Sequence, residues 1–117
     1  MGVVYHANYL VWMEMGRVEY CRNAGVRYRD LEEKDGVLLT VVEVGCRYHR
    51  PARYDDEVLV QTSLKRSTTR MLEFEYVISA AESSVKLATG GTTHLFCSRD
   101  MRPCRLPQQY WDQFGVR

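Results

Sequence analysis

Proline is scarce in this chain, three in 117 residues, and glycine is limited to eight. Collagen-like and linker-like readings are excluded at once. No apolar run approaches the ~20 residues that a membrane helix needs. The most apolar stretch near the start, Tyr9 to Met13, is interrupted by Glu14 and preceded by no basic segment, so it does not read as a signal peptide. Net charge is nearly absent as well: sixteen basic against fifteen acidic residues leave +1. With no global field, the sequence gives no reason to expect binding to nucleic acid or to an anionic membrane. Neither a CxxC pair nor a Cys/His cluster at zinc spacing is present, and Cys21, Cys46, Cys97 and Cys104 read as small hydrophobes. No metal and no cofactor is expected. The thiols read as reduced and the compartment as cytoplasmic.

What is there is one domain over residues 1–117. Hydrophobic residues make up 45% and charged residues 26%, a globular balance at a length that holds one core. Ala7 to Ala24 reads as a helix, with Asn8 as its N-cap, Arg22 in its last turn and Gly25 as its stop. Its first two turns are apolar nearly all round, which predicts burial on most sides. Val26 to Lys34 gives one or two further helical turns before the Asp35-Gly36 turn signal. The rest alternates as strands. Val37 to Tyr48 places Leu38, Thr40, Val42, Val44, Cys46 and Tyr48 on one face. Glu57 to Lys65 follows, then Met71 to Ala80 and Val85 to Ser98. Gly90-Gly91 suggests a bulge or bend in the last strand, and Gln108 to Phe114 a closing helical turn. The order predicts an α+β domain in which an antiparallel sheet curves around one long helix.

The run Gly2-Val3-Val4-Tyr5-His6-Ala7-Asn8-Tyr9-Leu10, followed by Glu14 and Arg17, resembles the signature of the hotdog-fold acyl-CoA thioesterases. The group it is most similar to comprises the 4-hydroxybenzoyl-CoA and Tol-Pal-associated thioesterases. Tyr48-His49-Arg50-Pro51-Ala52 resembles that family's aromatic-x-x-Pro-Ala turn, and Met101-Arg102-Pro103 its C-terminal Met-Lys-Pro segment. The resemblance implies a hotdog fold, hydrolysis of an acyl-CoA to acid and coenzyme A, and no cofactor. It also implies a catalytic aspartate three residues before the glycine. Gly2 fills the glycine position, so that aspartate would stand two residues before Met1, with the family's first strand before it. The 117-residue chain by itself is therefore expected to be weakly active or inactive. A non-catalytic protein that binds acyl-CoA or serves as a scaffold is the alternative.

Hydrolysis of a thioester needs a carboxylate that attacks or activates water, donors for the developing oxyanion, and a groove for the nucleotide. The helix starting near Ala7 offers free N–H groups and the positive end of a dipole. His6 either polarises the carbonyl or merely caps the helix. Glu14 either lines the acyl pocket as a base or forms an i,i+3 ion pair with Arg17. Gly2, Val3, Val4, Asn8, Tyr9 and Met13 are the candidate substrate-lining residues. Lys65, Arg66, Arg70 and Arg105 are the candidates for coenzyme A phosphates, with solvated surface charge as the plain alternative. The resemblance further implies a homodimer or homotetramer with the acyl site between subunits. Val37 to Tyr48, carrying only Glu43 and Arg47 as charges, would suit an edge-to-edge join.

Overall fold

The computed structural model describes residues 7–53 and 56–116. Gly2, Val3, Val4 and His6 lie outside the described residues, as does Asp55. Helix α1 spans Ala7–Asn23 and α2 Tyr28–Asp35. Strands β1 Val37–Tyr48, β2 Val58–Ser67, β3 Met71–Ala80 and β4 Lys86–Ser98 follow, then single 3-10 turns at Gln108–Tyr110 and Asp112–Phe114. The four strands form one antiparallel sheet in the order β1-β4-β3-β2, so β1 and β2 are the edges. The chain thus crosses from one edge to the other between Tyr48 and Val58, and then fills the middle.

Alternation explains the inner strands. Leu72, Phe74, Tyr76 and Ile78 of β3 are almost fully buried, while Glu73 and Glu75 lie on the other face. α1 runs along this inner face. Met13 meets Gly90, Arg17 reaches Tyr76, and the ring of Tyr20 stands 5.6 Å from that of Phe74. The helix approaches so closely that two glycines are required. A Cβ on Gly16 would stand 2.5 Å from Thr62 Oγ1, and one on Gly90 would stand 2.8 Å from Met13 Cε and from the Gly45 carbonyl oxygen.

Four expectations change. First, β1 does not keep one face throughout. Its register against β4 slips between Val41 and Glu43, so the residues paired with inward-facing Phe96, His94, Thr92 and Ala88 are Leu39, Val41, Val44 and Tyr48. An extra residue at a bulge reverses the alternation beyond it. Second, the bulges lie there, between Leu64 and Arg66, and near Ile78, not at Gly90-Gly91; those glycines answer close approach instead. Third, Asn8 is an exposed residue inside the helix, not its N-cap, because the helix already includes Ala7. Fourth, α1 is buried on one side only. Leu10, Val11, Met15 and Val18 are 42–63% exposed, since the sheet curves under one face and nothing among the described residues covers the other.

Candidate active site

The first turns of α1 are held in place by Tyr9. Its ring is 2% exposed, edge-on to Tyr48 at 4.9 Å and to Trp12 at 5.0 Å. Its hydroxyl accepts the backbone N–H of Ala52 at 3.0 Å. A buried phenol needs such a partner, and here the partner is the Tyr48–Ala52 turn. That turn is itself fixed, because the N–H groups of His49 and Arg50 both donate to the Leu87 carbonyl, at 2.8 and 3.1 Å. Tyr9, read from sequence as substrate-lining, therefore positions the helix start against the end of β1. One turn on, Met13 is 1% exposed and wedged on Gly90, which makes it core.

The first turn of α1 carries no acidic residue, so nothing on the helix neutralises its positive end. The first turn of a helix is where backbone N–H groups suit an anion or a developing oxyanion. The cations Arg47, Arg50 and Lys86 are exposed at this end of the sheet, together with His49. Arg50 also borders an open cavity of about 440 Å³ with Pro51, Glu57 and Leu87. Sequence reasoning passed over these groups, although the turn that carries two of them, His49 and Arg50, was the recognisable one.

Glu14 is exposed, in a row with Leu10 and Val18 at i−4 and i+4. Its expected burial is a correction, and it forms no ion pair with Arg17. Arg17 turns inward instead and donates to Tyr28 at 3.1 Å and to Tyr76 at 3.2 Å. The Arg17 network was missed altogether. Tyr76, Thr92 and His94 fall on the core face of adjacent strands, and only the strand register reveals it.

The proposed coenzyme A cations are not brought to the helix start within one chain. Lys65, Arg66 and Arg70 flank the β2–β3 turn, and six residues of β3, roughly 20 Å, separate Leu72 beside that turn from Ile78 near Tyr48. Lys65 is also engaged, 3.5 Å from both Glu73 and Glu75. Arg66, Arg70 and Arg105 are exposed.

Known proteins share this arrangement of a helix across an antiparallel sheet. Residues 1–86 match the model of the Thioesterase superfamily. The chain belongs to the thioesterase superfamily. Within it, the chain is similar to YneP of Bacillus subtilis, with 41% identity over 88 residues, covering 74% of this chain and 63% of YneP. It is also similar to the acyl-CoA thioester hydrolase YbgC of Escherichia coli O157:H7, with 32% identity over 72% of this chain and 62% of YbgC. The chain thus spans less than two-thirds of the length of these curated relatives. Among solved structures, protein TT1821 of Thermus thermophilus superposes with a TM-score of 0.90 at 36% identity, covering 98% of this chain and 86% of that one. The DHNA-CoA thioesterase of Staphylococcus aureus does so with 0.87 at 29% identity, covering 98% and 76%. The superfamily's hotdog fold is the fold of this chain. No helix among the described residues is long and apolar enough to cross a membrane.

Proposed function

We propose that this member of the thioesterase superfamily hydrolyses an acyl-CoA. Water adds to the thioester carbonyl carbon, the carbon–sulfur bond breaks, and coenzyme A leaves as a thiol that takes up the proton. The observation that carries this reading is the unneutralised N-terminus of α1, held to the Tyr48–Ala52 turn by Tyr9. Its amides receive the charge that develops on the carbonyl oxygen, which is where fixed donors act most strongly. His6, next to the first helical residue, orients the carbonyl or the water, and Glu14 is the carboxylate on α1 available as a base. Asn8 stands beside the acyl group, and Gly2, Val3 and Val4 are substrate candidates on the resemblance alone.

The working unit is a dimer joined along β1, in the cytoplasm, with a tetramer as a further step. The β1 edge exposes Val41, Val42, Val44 and Tyr48. An antiparallel join centred on Gly45 sets Glu43 opposite the partner's Arg47. A Cβ on Gly45 would meet nothing within 4 Å in its own chain, so the chain alone does not require glycine there. The two-fold axis of such a join reverses the partner end for end. Lys65, Arg66, Arg70 and Arg105 of one subunit then lie at the same end of the joined sheet as the other subunit's helix N-terminus, where the phosphates of coenzyme A need cations.

The test is release of free thiol from short, long and aromatic acyl-CoAs, with Glu14→Gln and His6→Ala alongside. Turnover that falls at least tenfold in either variant supports the reading. No thiol release from any of the panel, by a chain extended with the strand and aspartate that the resemblance implies, sinks it. Sedimentation decides the assembly: a clean 13.7 kDa species contradicts the join.

A further inference from the structure

Arg17 is 8% exposed, a cation inside the core, and among the described residues no carboxylate pairs with it. A buried charge without compensation is costly, so its neighbours must supply it. Nη1 donates to the Tyr76 hydroxyl on β3 at 3.2 Å, and Nε donates to the Tyr28 hydroxyl on α2 at 3.1 Å. A guanidinium cannot accept, so both phenol oxygens act as acceptors towards it. The hydrogen of Tyr76 is left for Thr92 Oγ1, 2.7 Å away. The hydrogen of Thr92 is left for Nε2 of His94, at 2.8 Å. With both hydroxyl hydrogens engaged, the chain runs in one direction, from cation to phenol to hydroxyl to imidazole. His94 keeps its own hydrogen on Nδ1, which is buried and has no partner among the described residues. Burial, and then the charge of Arg17, push the imidazole pKa down to about 4, so the ring is neutral at physiological pH.

This relay ties α1 to α2, β3 and β4 within a single helical turn. The same turn is pressed against β2 through Gly16. Apolar contacts alone would let a helix slide, whereas a directed chain of hydrogen bonds has one geometry. The helix start lies ten residues away, about 15 Å along a rigid rod. An oxyanion donor misplaced by about 1 Å loses on the order of 100-fold in rate.

We propose that Arg17 is a positioning residue: through Tyr76, Thr92 and His94 it sets where the first turn of α1 presents its N–H groups to the substrate. The inference rests on the thioesterase reading of that terminus. Thr92→Val and Thr92→Ser separate it from simple packing, since valine keeps the shape and loses the hydroxyl, whereas serine does the reverse. Three readouts are taken on the protein: kcat and KM for an acyl-CoA, imidazole 15N signals, and backbone amide signals of Asn8 and Tyr9. In the wild type His94 is the Nδ1–H tautomer. In Thr92→Val it shifts towards Nε2–H, the amides of Asn8 and Tyr9 move, and kcat falls 10- to 100-fold with KM within twofold. Thr92→Ser restores all three, and Arg17→Lys behaves like the valine variant. An Nε2–H tautomer in the wild type overturns the proposal. So do unmoved amides in Thr92→Val, or a valine variant with higher kcat than the serine one. If a chain extended with the strand and aspartate that the resemblance implies hydrolyses no acyl-CoA, the functional reading fails on its own, and the amide and tautomer shifts still decide the positioning. Should Arg17→Lys not fold, the two Thr92 variants carry the test.

Discussion

The two ends of the sheet are finished in different ways. At the end where β1 begins, the C-terminal segment folds back as a seal. Leu106, Phe114 and Val116 are 1–5% exposed. The Leu106 N–H donates to the Thr69 carbonyl, and Ser67 Oγ donates to the Phe114 carbonyl, both at 2.7 Å. Gln109 and Tyr110 both donate to Asp35, and Arg99 donates to the last carbonyls of α2, at Glu32 and Glu33. At the other end, Tyr48 is 46% exposed, the helix start has Leu10 and Val11 in the open, and a cavity lies beside Arg50. One end satisfies its polar groups and hides its apolar ones. The other leaves both available. Among the described residues, the apolar seal lies at one end of the sheet and the candidate site at the other.

Four measurements would sharpen or break that contrast, and the largest effect is expected at the sealed end. Phe114→Ala should lower unfolding free energy by about 3–5 kcal/mol in urea titration, as loss of a buried aromatic side chain does. The kcat of the molecules that remain folded should stay within twofold. A large drop in kcat at full folding would mean that the two ends are not separable.

Next comes His94, which lies between them. Its folded pKa, about 4, is below the ordinary value of 6.5. The unfolded chain therefore takes up this proton first as pH falls, and stability declines from about pH 6.5 to pH 4. The full loss is about 3 kcal/mol, reached below pH 4, with no contribution above pH 7. His94→Gln should flatten the difference between stability at pH 7 and at pH 4.5. An unchanged slope would place the acid sensitivity elsewhere.

At the open end, Tyr9→Phe removes one hydrogen bond, to Ala52, and should cost about 1–2 kcal/mol. It should also lower kcat at least tenfold, so its effect on catalysis exceeds its effect on folding. Equal damage to both would make Tyr9 an ordinary core residue. The smallest effect is Lys65→Ala. Its two ion pairs lie at the surface, stabilise little and fade in salt. If the partner's cations hold coenzyme A, KM should rise several-fold with kcat unchanged, and a flat KM would remove Lys65 from the binding surface.

The fold was largely legible because local patterns dictate it. β1 and β3 stand at their expected bounds, and α1 ends one residue before the expected Ala24. In β3 the alternation of Leu72, Phe74, Tyr76 and Ile78 with Glu73 and Glu75 admits one facing only. β1 was harder, because Val41 and Val42 are both apolar and hide the residue at which the facing reverses. The exposure of α1 was misread because an all-round apolar helix looks the same whether its outer face meets its own chain or another one. For the site, Gly2 to Tyr9 carried the family resemblance, whereas the groups that hold the helix did not show. Arg17, Tyr76 and Thr92 are distant in sequence and meet only through strand register. Lys65 looked available because its two glutamates belong to the next strand.

The slipped register in β1 bears on how far such chains can associate. An open strand edge is a template that can recruit copies without limit, the route to fibres. Centred on Gly45, the proposed join matches Tyr48 to the partner's Val42, so its ladder ends at the irregularity between Val41 and Glu43. In the proposed join a single twin covers the β1 edge, and the joined sheet keeps only the two β2 strands as its outer edges.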